Sequence, residues 1–249
     1  MQNMKNLLTF CLMVCCVAVQ AQLVTYPEGL QTGMSHNDDY TVRVRVPGGD
    51  WKDLFEYNVQ VDMDRVQDAS MVQFDMGSPV EVMVKKNKGM IHEVDIRPQA
   101  RKVQYVQNKN VITVTLDKPQ YLSVEFNGDR LHNLHLFANP METETYSKEE
   151  KGVMYFGPGV HRPKDLPNNQ IRIPGNTTVY LAPGAVVKAK LLLDKVENVR
   201  IIGRGILDHP VRGIEITDSK NIVIDGITVV NLDHKIAFGG GVEGVTMKN

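Results

Sequence analysis

Two Asp-His dipeptides, Asp208-His209 and Asp233-His234, stand 25 residues apart towards the end of a 249-residue sequence. A carboxylate beside an imidazole offers hydrogen-bond acceptors and a donor at one point, which suits a hydroxyl-rich ligand. His209 and His234 are therefore candidate substrate-binding residues; exposed corner positions are the plainer account of the same pattern. His132 and His135 invite a metal assignment, but residues three apart on a strand face opposite sides. No metal site is assigned. Gly239 to Gly244 satisfies G-x-G-x-x-G, yet the dinucleotide fingerprint needs a helix opening at its end, and a β repeat follows. No cofactor is expected. Trp51, Tyr121 and Phe126 would stack on a flat ligand if exposed together, although aromatic side chains of small β domains belong more often to the core.

These residues are positioned by a repeat. Glu197-Asn198-Val199-Arg200-Ile201-Ile202-Gly203 is echoed by Lys220-Asn221-Ile222-Val223-Ile224-Asp225-Gly226, and again by Glu243-Gly244-Val245-Thr246-Met247-Lys248-Asn249. Both intervals are 23 residues. Val199, Ile222 and Val245 keep step, as do Ile201, Ile224 and Met247. A period in the low twenties marks a solenoid whose units bury apolar faces only against their neighbours. The segments alternate as strands do, so the spacing predicts stacked β-coils, about four between Gly152 and Asn249, each adding roughly 4.8 Å of height. Asn198 and Asn221 share a register and are expected to stack as an amide ladder.

Before the coils the texture differs. Val42, Val44 and Val46 alternate with polar neighbours, as do Val59, Val61 and Met63, then Val80 to Val84, Ile112 to Leu116 and Leu122 to Phe126. Period two means one face buried and one wet. Pro47-Gly48-Gly49, Asn87-Lys88-Gly89 and Asn127-Gly128 punctuate these runs as turns, and Asp38-Asp39 reads as another. The expected fold class is all-β: an N-terminal antiparallel β-sandwich at 22–145, a solvated linker at 146–151, and the first coils of a right-handed parallel β-helix at 152–249.

Residues 1–21 read as a signal peptide. Lys5 supplies the positive start, Leu7 to Val19 an apolar core of 13 residues, and Val19-Gln20-Ala21 a small-residue cleavage site. Leu12-Met13-Val14-Cys15 is a loose match to a lipobox, with Val14 a poor residue before a lipidated cysteine. The expected address is export, periplasmic or secreted, with cleavage after Ala21. All 3 cysteines lie in this leader, so the remainder relies on core packing and hydrogen-bond ladders without disulfides. Loss of Lys5 leaves 27 basic against 29 acidic side chains, which argues against a nucleic-acid partner drawn by bulk charge. No membrane span is expected, because the leader's apolar run is too short to serve as one.

Three stretches carry a family resemblance: Tyr155-Phe156-Gly157-Pro158-Gly159-Val160, Asn176 to Val186, and Gly203-Arg204-Gly205-Ile206-Leu207-Asp208. They resemble the pectinase-type glycosidases with a right-handed parallel β-helix, namely the polygalacturonases of glycoside hydrolase family 28 and the dextranases of family 49. Leu122 to Arg130 and Asn133 to Phe137 are similar to the sandwich preceding the helix in dextranase-like members. The resemblance implies inverting hydrolysis of O-glycosyl bonds in a plant or microbial polysaccharide. An acid protonates the leaving oxygen and a base activates water, across carboxyls roughly 6.5–9.5 Å apart.

In family 28 the chemistry begins at Asn-x-Asp, which Asn231-Leu232-Asp233 matches, but the family continues with glycine where His234-Lys235 stand here. Asp233 is thus the sole candidate catalytic residue, and no catalytic residue is assigned. The sequence has no Asp-Asp after Asp39 and no Gly-His-Gly. The expectation is a glycosidase scaffold, inactive alone, whose catalytic aspartates would follow Asn249, with self-association through an uncapped helix end. A non-catalytic carbohydrate-binding module is the alternative. A pectate-lyase-like enzyme stands third, since no acidic cluster of the calcium-binding kind stands out between Asp194 and Glu243.

Overall fold

The structure, a computed structural model, describes residues 22–26, 34–62, 64–162, 169–210, 212–232 and 237–248. The leader, with its cleavage site, lies outside them. Among the described residues there is no α-helix, and no helix is long and apolar enough to cross a membrane.

The first half is a two-sheet sandwich. Its strands are β1 Leu23–Thr25, β2 Tyr40–Arg45, β3 Lys52–Asp53, β4 Tyr57–Val61, β5 Gln67–Met76, β6 Val80–Lys86, β7 Val94–Arg97, β8 Tyr105–Asn108, β9 Val111–Leu116, β10 Gln120–Phe126 and β11 Asp129–Pro140. One sheet runs β3-β2-β6-β9-β8; the other runs β1-β5-β11-β10-β7, with β4 also pairing β5. The alternation read from the sequence becomes the core: Val80, Val82, Val84, Ile112, Val114 and Leu116 are all fully buried. Asn127 and Gly128 both take positive φ between β10 and β11, which makes the tight hairpin that Asn-Gly favours.

Two features depart from the sequence reading. The pairing is antiparallel except between β5 and β11, which run parallel with Leu134 opposite Ser70 and Asn139 opposite Asp75. Between them the chain crosses into the other sheet and back, so β11 arrives beside β5 in the same direction. The second departure is β5 itself: Val72, Phe74 and Met76 alternate with Gln73 and Asp75, yet the polar face is buried too. From Ala69 to Met76 every residue is buried. Val72, Phe74 and Met76 enter the sandwich core, while Ala69 and Met71 face outward into a second apolar cluster.

That second cluster is the solenoid's docking surface. The coils comprise β12 Val153–Phe156, β13 Gly159–His161, β14 Gln170–Arg172, β15 Thr178–Leu181, β16 Ala185–Val187, β17 Lys190–Asp194, β18 Glu197–Gly203, β19 Ile206–Asp208, β20 Ile214–Thr217, β21 Lys220–Asp225, β22 Thr228–Val230, β23 Ala237–Gly240 and β24 Glu243–Lys248. They form three parallel sheets, β12-β15-β18-β21-β24, β13-β16-β19-β22 and β14-β17-β20-β23. The predicted echo is the observed register: Val199 lies opposite Ile222 and Ile222 opposite Val245. Inward-facing Val179, Leu191, Ile201, Leu207, Ile214 and Ile222 fill the bore.

The amide ladder forms and is longer than the sequence suggested. Asn221 Nδ2 donates to Asn198 Oδ1 at 3.1 Å, and Asn198 Nδ2 donates to Asn176 Oδ1 at 3.0 Å. All three asparagines adopt left-handed backbone, as does Gly244 in the next coil. Asparagine is the side chain that best tolerates that conformation, so one residue type meets both demands. At Gly203 (φ 125°) a Cβ would lie 2.0 Å from the Leu181 carbonyl oxygen, so only glycine lets neighbouring coils approach there.

Substituting Asn198→Ala removes two ladder bonds and replaces the side chain that best tolerates left-handed backbone. We expect a loss of about 2 kcal/mol in urea unfolding, with Asn198→Gly recovering about half because its backbone is unstrained.

Candidate functional site at the sandwich–solenoid seam

Strand β4 and the outward face of β5 press Tyr57, Val59, Ala69 and Met71 against Val186, Ile206 and Val230, one residue from each of β16, β19 and β22. Burying a side chain of this size contributes roughly 1.5–3 kcal/mol. The apolar seam is flanked by polar clusters, and the conspicuous chemistry-bearing residues lie there.

At one margin the corners that follow β16, β19 and β22 stack. Asp208 is 1% exposed and fully engaged. Its Oδ2 meets Lys188 Nζ at 2.6 Å, and its Oδ1 accepts from Asn231 Nδ2 at 2.6 Å and lies 2.7 Å from His209 Nδ1. Asn231 Oδ1 in turn accepts the backbone N–H of Gln60 on β4 at 2.7 Å, tying the corner to the sandwich. A small cavity of about 110 Å³ opens here, lined by Ser35, Asn58, Gln60, Lys188, Asp208 and His209 among others.

The sequence candidates fare unequally against this geometry. His209 does sit at a corner, in left-handed backbone, with its ring mostly in solvent and one nitrogen held by Asp208. Asp233 and His234 lie outside the described residues. Asp208, Lys188 and Asn231 escaped notice as a set; the signal was there, because each falls at the end of an equivalent short strand. Asp208 has three partners and no open face, so the geometry makes it a tie between coils.

The other sequence candidates also find places. Trp51 is covered by the Arg45 guanidinium, 4.3 Å from the ring centroid, and Phe126 is buried in the core. Tyr121 alone of the three is open, at 40% exposure. His132 pairs with Asp129, whereas His135 lies on the opposite side of β11. The glycine run at 239–244 bridges β23 and β24, where a Cβ on Gly241 would sit 2.1 Å from Asp218 Oδ1. It is a strand corner.

At the other margin Arg204 enters the seam. Its Nε donates to Asp75 Oδ1 at 3.0 Å, and its Nη2 donates to the Pro140 carbonyl at 2.8 Å. Tyr26 donates to the same carboxylate oxygen at 2.6 Å. Burial pushes the Asp75 carboxyl up, while Tyr26 and Arg204 pull it back. Gly226 makes room for the guanidinium, since a Cβ there would lie 2.1 Å from Arg204 Nη1. Beyond it is a polar cleft of about 240 Å³ lined by Glu142, Glu144, Arg200, Arg204, Asp225 and Lys248. Burial raises the Glu142 carboxyl to about 6, and Tyr180 Oη donates to it at 3.2 Å. The Arg200 guanidinium grips Glu144 through two bonds of 2.8 Å and holds it down at about 2. Within the segment read as a solvated linker, Tyr146 packs against Tyr180 and Arg200, and Ser147 to Lys151 form an exposed turn.

The fold is a β-sandwich joined to a parallel β-solenoid, and comparison with known proteins agrees. No family model and no curated protein matches the sequence. The solved structure of Dex49A from Penicillium minioluteum is similar in fold, with a TM-score of 0.66 at 17% identity, over 88% of this chain. The chain spans 60% of the length of that protein.

Replacing Asp208 by alanine strands the Lys188 ammonium at the seam, and we expect a loss of about 3 kcal/mol by thermal unfolding. His209→Ala, which removes an exposed ring, should stay within about 0.5 kcal/mol. Glu142 yields a pH dependence. Its carboxyl holds its proton to a higher pH when folded than its ordinary 4.5, so between about 4.5 and 6 the unfolded chain binds fewer protons. Stability should therefore fall as pH rises through that window, and Glu142→Gln should flatten this part of the curve.

Proposed function

We propose that this chain is the sandwich and opening coils of an exported, polysaccharide-hydrolysing glycosidase scaffold of the polygalacturonase and dextranase type, built for inverting cleavage of α-linked chains. One observation carries the reading: the sandwich-then-solenoid arrangement matches Dex49A over most of this chain, the same group of proteins that the Tyr155, Asn176 and Gly203 stretches resemble. Hydrolysis needs a proton donor and a base facing one bond across a water. The buried carboxylates of the seam serve a different end, since Asp75 and Asp208 are each saturated by cations and amides of the fold. On this reading the chain from Gln22 onward binds its polysaccharide without cleaving it.

A second reading, a non-catalytic carbohydrate-binding module, is favoured by the exposure of Tyr121 on the sandwich. Two measurements on the chain from Gln22 onward test the pair. Reducing-end assays on dextran and polygalacturonate should show no turnover, and affinity electrophoresis should show retardation by at least one α-linked polysaccharide. Release of reducing ends would contradict the inactive-scaffold reading; mobility unchanged by every polysaccharide would remove both readings.

A further inference from the structure

The sandwich sheet that docks the solenoid is only half covered by it. Strands β4 and β5 lie under the coils, Phe137 of β11 packs at the edge of that seam, and Tyr121 of β10 beyond it is exposed. Tyr121 pairs with Phe137 and Ser123 with His135 across these two strands, so four side chains share one open face. The Tyr121 and Phe137 rings meet edge to face at 5.5 Å, and the His135 ring lies 6.2 Å from Phe137.

Two cavities adjoin this face. One, of about 520 Å³, is a shallow trough along Arg97, Gln99, Tyr121 and Ser123. The other, of about 270 Å³, runs between β4 and the last corner of the β22 coil, along Gln60, Asp62, Thr228 and Val230. Both are lined by His135 and Phe137, so the two hollows meet at this pair of rings and make a groove in two parts.

The chemistry of this groove is specific. Burial lowers the His135 pKa, which keeps the ring neutral. A neutral imidazole carries one donor and one acceptor, and neither nitrogen has a hydrogen-bond partner among the described residues. Arg97, the only lysine or arginine among the described lining residues, is already committed to Asp95 at 2.6 Å and Glu125 at 3.0 Å. The groove therefore combines aromatic faces and amide and hydroxyl groups with no uncompensated positive charge.

We propose that this groove is a binding site for a neutral polysaccharide chain. Sugar rings lie against Tyr121 and Phe137, and His135 bridges neighbouring hydroxyls as donor and acceptor. A uronate chain is disfavoured because no free cation among the described residues faces it. The site meets the Asp208 corner at Gln60 and Asn231, which line both, and it rests on the polysaccharide reading above.

Calorimetric titration of the full chain with a dextran-derived oligosaccharide and with an oligogalacturonate tests it. The neutral oligosaccharide should bind and the uronate should not. Tyr121→Ala and His135→Ala should each weaken binding at least about tenfold, with unfolding temperatures near the parent's. Binding of the neutral sugar that survives both groove substitutions would overturn the groove while leaving the polysaccharide reading intact. Preference for the uronate would overturn the neutral assignment. If neither sugar binds, the groove proposal falls, while the polysaccharide reading is decided by the electrophoresis panel. Light scattering that shows a dimer broken by Tyr121→Ala would assign the face to a second copy of the chain and overturn the proposal.

Discussion

Everything functional in this molecule depends on one strand being buried on both faces. β5 sends Val72, Phe74 and Met76 into the sandwich and turns Ala69 and Met71 toward the solenoid. The remaining outward residues, Gln73 and Asp75, are polar and equally buried, and they are satisfied from the other half of the chain: Gln73 by the Arg204 carbonyl and Thr228, Asp75 by the Arg204 side chain. A buried charge is tolerated only when paired and fully hydrogen-bonded. The Asp75–Arg204 pair meets that condition with help from Tyr26 and Pro140. Its geometry fixes one sliding position of the coils along the sandwich, because a shift by one rung would strand both charges.

The solenoid contributes repetition, and repetition sets the spacing of its chemistry. Each coil brings an equivalent short strand to the same margin of the seam, so Lys188, Asp208 and Asn231 come from successive coils and meet there. A stacked set gains from unlike neighbours: a cation, a carboxylate and an amide satisfy one another where three carboxylates would repel. At another corner, where the demand is for left-handed backbone, the repetition is of one residue type, and the asparagine ladder results. Identical amides pair well in register, since each has a donor and an acceptor.

Several of these features were legible in the residues alone. The 23-residue echo predicted the coil register residue by residue, because each rung sees the same surroundings and needs the same apolar positions. The sandwich core was visible wherever a strand had one wet face, as in β6 and β9. β5 escaped that reading: Val72, Phe74 and Met76 alternate with Gln73 and Asp75, but nothing local shows that the polar face is buried as well. The apolar residues of β4 were read correctly as a buried face, but that face meets the coils and lies outside the sandwich core. The candidate site was less legible. His209 could be flagged from its neighbour, yet the partners of Asp208 lie 20 or more residues away on other rungs.

The sequence by itself determined the periodic parts: stacked coils, alternating strands, the asparagines that hold tight corners, and the stretches that resemble polysaccharide-acting enzymes. Each is a local demand repeated, so a single chain displays it without folding. Only the tertiary structure decided which polar residues meet and which aromatic rings stay open. Asp75 and Arg204 are 129 positions apart, and Trp51, Tyr121 and Phe126 look alike until packing covers the first with Arg45, buries the third and leaves the second in a groove. The reason is physical: exposure and charge pairing belong to the surfaces that come together, and in this protein those surfaces come from opposite ends of the chain.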